Sequence, residues 1–256
     1  MSGSAIARSN AAPKLLGFVS VLLFFAVIEA VIRAGWLNRY IVPPPSEILG
    51  SFYRIIAEEH VLRRFLFTTA ECFAAGVMIT VFGVGLGVLL QRYELLRRAC
   101  ETWVAALAAA PVVLAYPLFM VIFGRNAVTI VMIAFVAALP AVILKTIEGI
   151  AGTRRVLLNV GKSFNLTPAQ QFWKIQFPAA LPVIFTGLRL GLIFALINVV
   201  GVEFLINYGG LGQLIEDLAE RYDLAGTYAA IFFVILVSVL FFMALERIER
   251  WLRPVD

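Results

Sequence analysis

The chain has 256 residues, of which 62% are hydrophobic and 14% charged, with a formal net charge of +5 and a mean hydropathy of +0.95. A soluble domain is roughly 45–50% apolar and about 25% charged, and one core of this size could not hide the excess. A disordered chain needs the opposite composition, so the sequence reads as an integral membrane protein.

Continuous apolar runs of about 20 residues close their backbone hydrogen bonds in lipid as helices, and the expected fold is therefore all-α and polytopic, with six spans. A tail of residues 1–14 leads into the first span at 15–34. This span has no convincing cleavage site of small residues, and Glu29 and Arg33 near its end fit the interface of a retained helix. The segment 35–66 lies between spans. There Pro43-Pro44-Pro45-Ser46 forms a rigid extended turn, and a helix capped by Ser46 runs into a second amphipathic piece. The second span is 67–90. Its Gly83-x-x-x-Gly87 is a small-residue packing motif, and Glu71 is expected at the interface, hydrated. A basic loop at 91–101 precedes the third span, 102–123, which Pro111 and Pro117 should bend. Gly124, Arg125 and Asn126 make a tight hairpin to the fourth span, 127–144, where Pro140 should add another bend.

The loop at 148–182 is too long for a turn and has the periodicity of two short helices. The first, near 152–164, places Val156, Leu157, Val160 and Phe164 at helical spacing. The second starts at Thr167, a good N-cap, followed by Pro168 at the first helical position and Gln170 at the third, the pattern of a capping box. It presents Phe172, Trp173 and Ile175 among polar neighbours, either to lie on the membrane interface or to dock a partner.

The fifth span, 183–206, repeats the small-residue spacing at Gly187 and Gly191. It carries Arg189 near its inner end, which can snorkel to the interface. It also carries Asn198 and Glu203, which either pack structurally or line a path or gate. The turn Gly209-Gly210-Leu211-Gly212, whose Gly209, Gly210 and Gly212 are grouped with Asn198 and Glu203 as possible path or gate residues, then opens a short amphipathic helix with Leu211, Leu214, Ile215 and Leu218 on one face. The sixth span is 225–245.

Basic residues accumulate on the cytoplasmic side of a membrane. The tail, the 91–101 loop, the 148–182 region with its borders and the C-terminus together hold 14 Lys and Arg, against seven on the other side. Both termini are therefore expected inside, as six spans require. The positive charge is accounted for by topology, and no compact basic face is left for nucleic acid. Cys72 and Cys100 read as apolar fillers, and His60 stands alone, so no metal site or cofactor is expected. No phosphate-binding Gly-rich loop, HExxH or other catalytic motif is present, so the chain itself is not expected to be an enzyme.

Several strings resemble the permease subunits of bacterial binding-protein-dependent ABC importers, in particular the nitrate, sulfonate, taurine and bicarbonate branch. They are VPPPSEIL at 42–49, APVVLAYPLFMVIFG at 110–124, TPAQQFWKIQFPAALPVIFTGLRLGL at 167–192, VVGVEFLINYGGLG at 199–212 and ERIERW at 246–251. The resemblance covers about 41–253, and implies a permease core at 67–253 with its coupling loop at 148–182. That family's cytoplasmic loop reads Glu-Ala-Ala, three residues, Gly, and thirteen residues on the Pro of Ile-x-Leu-Pro. Laid on this chain, the glutamate falls at Asn159, the alanines at Val160 and Gly161, and the glycine at Asn165. The rest falls at Ile175, Phe177 and Pro178. The second half is kept; Asn159 lacks the family's charge, while Asn165 can take the left-handed conformation.

The resemblance implies a type I importer permease in the bacterial inner membrane, working as a homodimer or heterodimer of permeases. Two ATPase subunits, which carry ATP and Mg, would dock on the coupling residues from Asn159 to Pro178, and a periplasmic binding protein would deliver a small anion. A thiamine-precursor pyrimidine, riboflavin or an aromatic acid are alternative substrates. A secondary transporter or a structural membrane protein are the competing classes.

Overall fold

A computed structural model describes residues 11–39 and 41–252, which are helix and turn throughout, with side chains described for 15–39 and 41–250. The tail residue Arg8 and the terminal Arg253 lie outside the described residues.

Helix α1 spans Ala11–Arg33 and α2 spans Pro45–Glu58. A continuous helix follows as α3 (Val61–Met78), a π turn (Ile79–Gly83) and α4 (Val84–Arg92). Then come α5 (Glu94–Ala109), a 3-10 turn (Val112–Ala115), α6 (Tyr116–Phe123) and α7 (Ala127–Ala151). The short α8 (Arg155–Ser163) is followed by α9 (Pro168–Gln171), a second π turn (Phe172–Gln176) and α10 (Phe177–Ile206). The chain ends with α11 (Gly210–Glu220) and α12 (Leu224–Leu252). Among the described residues, five helical stretches are long and apolar enough to cross a membrane, and the bent pair α5–α6 makes a sixth if counted as one.

That pair corrects the third expected span. The chain from 102 to 123 is not one rod: its arms meet at 88°, and the predicted 91–101 loop is mostly the start of α5. Pro111 has no amide proton to continue the ladder and forces Ala110 out of the helical region, where it sits at φ −77°, ψ 134°. Pro140, by contrast, sits inside α7 without ending it.

α7 and α10 form the centre. Ile130, Ile133, Ala134, Ala138 and Val142 pack against Ala195, Leu196, Val199 and Val202, all buried. The glycine pairs explain how close the helices come. A Cβ on Gly83 would lie 2.8 Å from Val142, on Gly87 2.5 Å from Thr146, on Gly191 2.7 Å from Val142 and on Gly187 2.5 Å from Lys145. Both small-residue motifs therefore seat the same stretch of α7, one from each side.

A second core cluster closes the predicted outer end, where Ile48 and Ile55 of α2 and Val61 of α3 meet Leu211, Leu214 and Leu218 of α11 and Ala229 and Ala230 of α12. The leucine face of α11 foreseen from spacing is thus buried. The tight hairpin before α7 holds because Asn126 caps it, accepting from Val128 N at 2.9 Å and Thr129 N at 3.2 Å.

α1 stands apart, its apolar face mostly exposed. It is tied to α2 by Glu29, which accepts from Ser46 N at 3.0 Å and from Ser46 Oγ at 2.7 Å. This corrects Ser46 as an N-cap: the N-cap residue is Pro44, Ser46 lies in the first turn, and the carboxylate that satisfies that turn comes from the neighbouring helix.

Candidate functional site

Two places gather polar side chains at opposite ends of the bundle, joined by the α9–α10 helix.

At the predicted inner end, α8 and the start of the α9–α10 helix form an elbow. α8 closes through Asn165, which takes φ +53°, while Leu166 N donates to Gly161 O at 3.0 Å, the 6→1 bond of a Schellman ending. The capping box forms as the spacing predicts: Gln170 N donates to Thr167 Oγ1 at 3.3 Å and Thr167 N to Gln170 Oε1 at 3.0 Å. Gln171 Nε2 donates to Leu158 O at 3.1 Å and locks the two helices together. Gly161 is buried under Ile175, whose Cδ1 would stand 2.7 Å from a Cβ there.

The elbow therefore sorts the predicted docking residues into two sets. Ile175 and Phe172 are partly buried and face its interior, with the Phe172 ring 5.9 Å from Phe177 and 5.1 Å from Trp173. Exposed are Trp173, Asn159, Asn165, Thr167, Pro168, Pro178 and a stripe of Val156, Val160 and Phe164, the last 76% exposed. This stripe on α8 is the elbow's open apolar surface. Behind the elbow lies a cavity of about 520 Å³ bordered by Arg92, Thr153, Leu158, Phe172 and Gln176.

At the predicted outer end, Glu203 is fully buried. Thr68 Oγ1 donates to Glu203 Oε1 at 2.7 Å and accepts from Leu211 N at 2.9 Å; Gly212 N donates to Glu203 Oε2 at 2.8 Å. The first amides of α11 are thus capped by side chains from α3 and α10, satisfying donors a helix start leaves open. The glycines make this approach possible. Gly209 and Gly210 take φ +66° and +53°, and a Cβ on Gly210 would fall on the Glu203 carboxylate, as one on Gly212 would fall on Val200 O. Asn207, at φ +46°, ends α10 just before them.

Glu71 is not at a hydrated interface. It is buried beside Glu203, and neither of its oxygens has a donor. Sequence reasoning missed its partnership, and Thr68 altogether. The available signal was that Thr68 and Glu71 lie one turn apart on the helix that had to face Glu203. Asn198 does not join this cluster. It lies on the open face of α10, near the exposed Phe194, Ile197, Phe204 and Leu205, and returns its amide to Phe194 O at 2.8 Å.

Arg189 does not simply snorkel. Its guanidinium pairs with the buried Glu249 of α12 at 2.6 Å and stands 5.8 Å from the Phe242 ring, and Thr186 Oγ1 donates to Glu249 at 3.0 Å. Further ion pairs hold the outer helices together: Arg64 with Asp217 at 2.6 Å, Arg221 with Glu59 at 2.7 Å, and Arg54 with Asp223. Both cysteines are free thiols. Among the described residues no three of His, Cys, Asp and Glu converge as a metal site.

Residues 79–254 match the binding-protein-dependent transport system inner membrane component family. The chain belongs to that family. This permease is 26% identical over 236 residues to the formylaminopyrimidine transport permease protein ThiX of Halalkalibacterium halodurans, covering 91% of this chain and 94% of that protein. It is 22% identical over 244 residues to the taurine transport system permease protein TauC of Escherichia coli, covering 93% and 88%. Its fold matches an inward-facing structure of the MetNI methionine ABC transporter at a TM-score of 0.67, with 21% identity over 76% of this chain and 96% of that one. The permease is thus an ABC importer subunit of all-α, polytopic membrane fold.

Proposed function

We propose that the permease forms half of the substrate path of an ATP-driven importer in a bacterial inner membrane, with six spans and both termini in the cytoplasm. A second permease copy or a close homologue supplies the other half, two ATPase subunits grip the elbows, and a periplasmic binding protein delivers the solute. The observation that carries this reading is the elbow. Its exposed stripe of Val156, Val160 and Phe164 and the exposed Trp173 sit on a helix that runs unbroken from Pro168 to Ile206, roughly 58 Å of helical rise. A displacement imposed at the elbow is carried along that helix to Glu203 and α11 at the far end.

The path side is the open face of α10, where Phe194, Ile197, Phe204 and Leu205 are exposed among the described residues and Asn198 is half-buried. The preferred solute is a small anion of the sulfonate, taurine, nitrate or bicarbonate type. The near-equal likeness to a formylaminopyrimidine permease and a taurine permease keeps a pyrimidine as the second reading. In this arrangement specificity resides largely in the binding protein.

The test is ATP hydrolysis by the complex of this permease with its ATPase in nanodiscs, with binding protein loaded in turn with taurine, nitrate, bicarbonate and formylaminopyrimidine. Stimulation by an anion-loaded binding protein supports the reading; stimulation by the pyrimidine alone replaces the solute; no association with any ATPase overturns the class.

A further inference from the structure

Glu71 is the acid of α3 and Glu203 the acid of α10, close to its outer end, and they meet. Each is buried, at 4% and 0% exposure. Glu203 has its donors in Thr68 Oγ1 and Gly212 N. Glu71 has none, and its carboxyl lies against that of Glu203. Two ionised carboxylates are both acceptors and repel at this range. A protonated one donates to the other and satisfies both.

Among the described residues, no cation forms an ion pair with either carboxyl. On α3 the next charge toward the outer end is Arg64, held by Asp217 of α11. Cys72 is the other titratable group beside the pair. α7 carries no charged residue from 127 to 144, and α12 none from 227 to 245. On α11 the acids begin only at Glu216, beyond the capped first turn.

We propose that Glu71 and Glu203 share a single proton, and that Glu71 is a positioning residue. By donating to Glu203 it keeps that carboxylate aimed at the Gly212 amide and at the Thr68 hydroxyl, which in turn takes the Leu211 amide, and so latches α11 onto α3 and α10. Glu203 then grips the helix start with one oxygen while its other oxygen takes the Thr68 hydroxyl, and the Gly209-Gly210 backbone leaves the space for it. The latch concerns the outer end of the transport path and in that sense rests on the importer reading, but the pairing itself is tested without transport.

The experiment is infrared spectroscopy of the full-length permease in nanodiscs, paired with amide hydrogen exchange. The wild type shows the carbonyl stretch of a protonated carboxylic acid, and the difference spectrum against Glu71→Gln removes it. Exchange at Leu211 and Gly212 stays near the wild-type rate in Glu71→Gln, whose amide still donates to Glu203. It rises about tenfold in Glu71→Met, which fills the same space without a donor, the loss expected for one hydrogen bond to a charged group. A wild type without the acid band, or a band that survives Glu71→Gln, overturns the shared proton. Equal exchange in Glu71→Gln and Glu71→Met overturns the positioning role. The wild-type spectrum decides the first point even if neither variant assembles.

Discussion

Gly210 shows how one missing side chain organises the outer end. Its φ of +53° and the Glu203 carboxylate where a Cβ would stand make Gly210→Ala both strained and obstructed. The substitution should cost about 2 kcal/mol and lower the thermal unfolding midpoint in nanodiscs, and an unchanged midpoint would mean that α11 is not held this way. Glu249 makes a parallel case at the inner end. Its loss strands Arg189 in a largely apolar setting. Breaking a fully buried pair costs roughly 3–5 kcal/mol, and because the Arg189 side chain keeps 25% of its exposure, Glu249→Ala should cost about 2 kcal/mol. The double variant Arg189→Met with Glu249→Leu should recover most of that loss, which a double-mutant cycle measures directly. Asn159 is exposed at the position where the family pattern has glutamate; the surrounding elbow closes without that charge, through Gln171 and the Asn165 turn.

At the scale of elements, the docking role proposed for the elbow can be separated from its folding. Thr167→Ala removes one half of the capping box and should destabilise the elbow by about 1 kcal/mol, seen as faster amide exchange at Gln170. The triple change of Val156, Val160 and Phe164 to Ser touches only exposed side chains. It should leave the unfolding midpoint in place while the bound ATPase is lost on purification. Retention of the ATPase by that variant would move the docking surface elsewhere.

The elbow was also the part most legible from residues. The capping box, the left-handed Asn165 and the α8 periodicity are local signals, and each appears where the spacing puts it. The expected spans two, four, five and six each fall inside one helical stretch because apolar runs read clearly, but the helices Val61–Arg92, Ala127–Ala151, Phe177–Ile206 and Leu224–Leu252 run six or seven residues further at one end. What the sequence hid was tertiary. Phe172 and Ile175 look like docking groups in a linear reading, yet Ile175 turns onto the hollow left by Gly161 and Phe172 packs against Ile150, Ala180 and Ile184. The 88° break at Pro111 is stronger than a proline bend because the following four residues tighten into a 3-10 turn. Glu71 reads as an interfacial acid until α10 brings Glu203 against it.

At the scale of the whole molecule, the two sites lie at the ends of one helical stretch. The α9–α10 helix begins in the elbow and ends at the Glu203 grip on α11, and between them it is seated on α7 through Gly187 and Gly191. The rest of the fold braces that helix: α11 is fixed to α2, α3 and α12 by buried leucines and to α3 by the Arg64–Asp217 pair, while Arg54 of α2 pairs with Asp223 in the turn that leads into α12. In the proposed importer, this chain transmits motion that a partner ATPase supplies. The most direct test is ATP hydrolysis by the permease–ATPase complex in nanodiscs as solute-loaded binding protein is added. The predicted result is stimulation that disappears in the Val156, Val160 and Phe164 serine variant while the permease stays folded. Solute uptake by the permease alone, in vesicles that contain no ATPase, would contradict it.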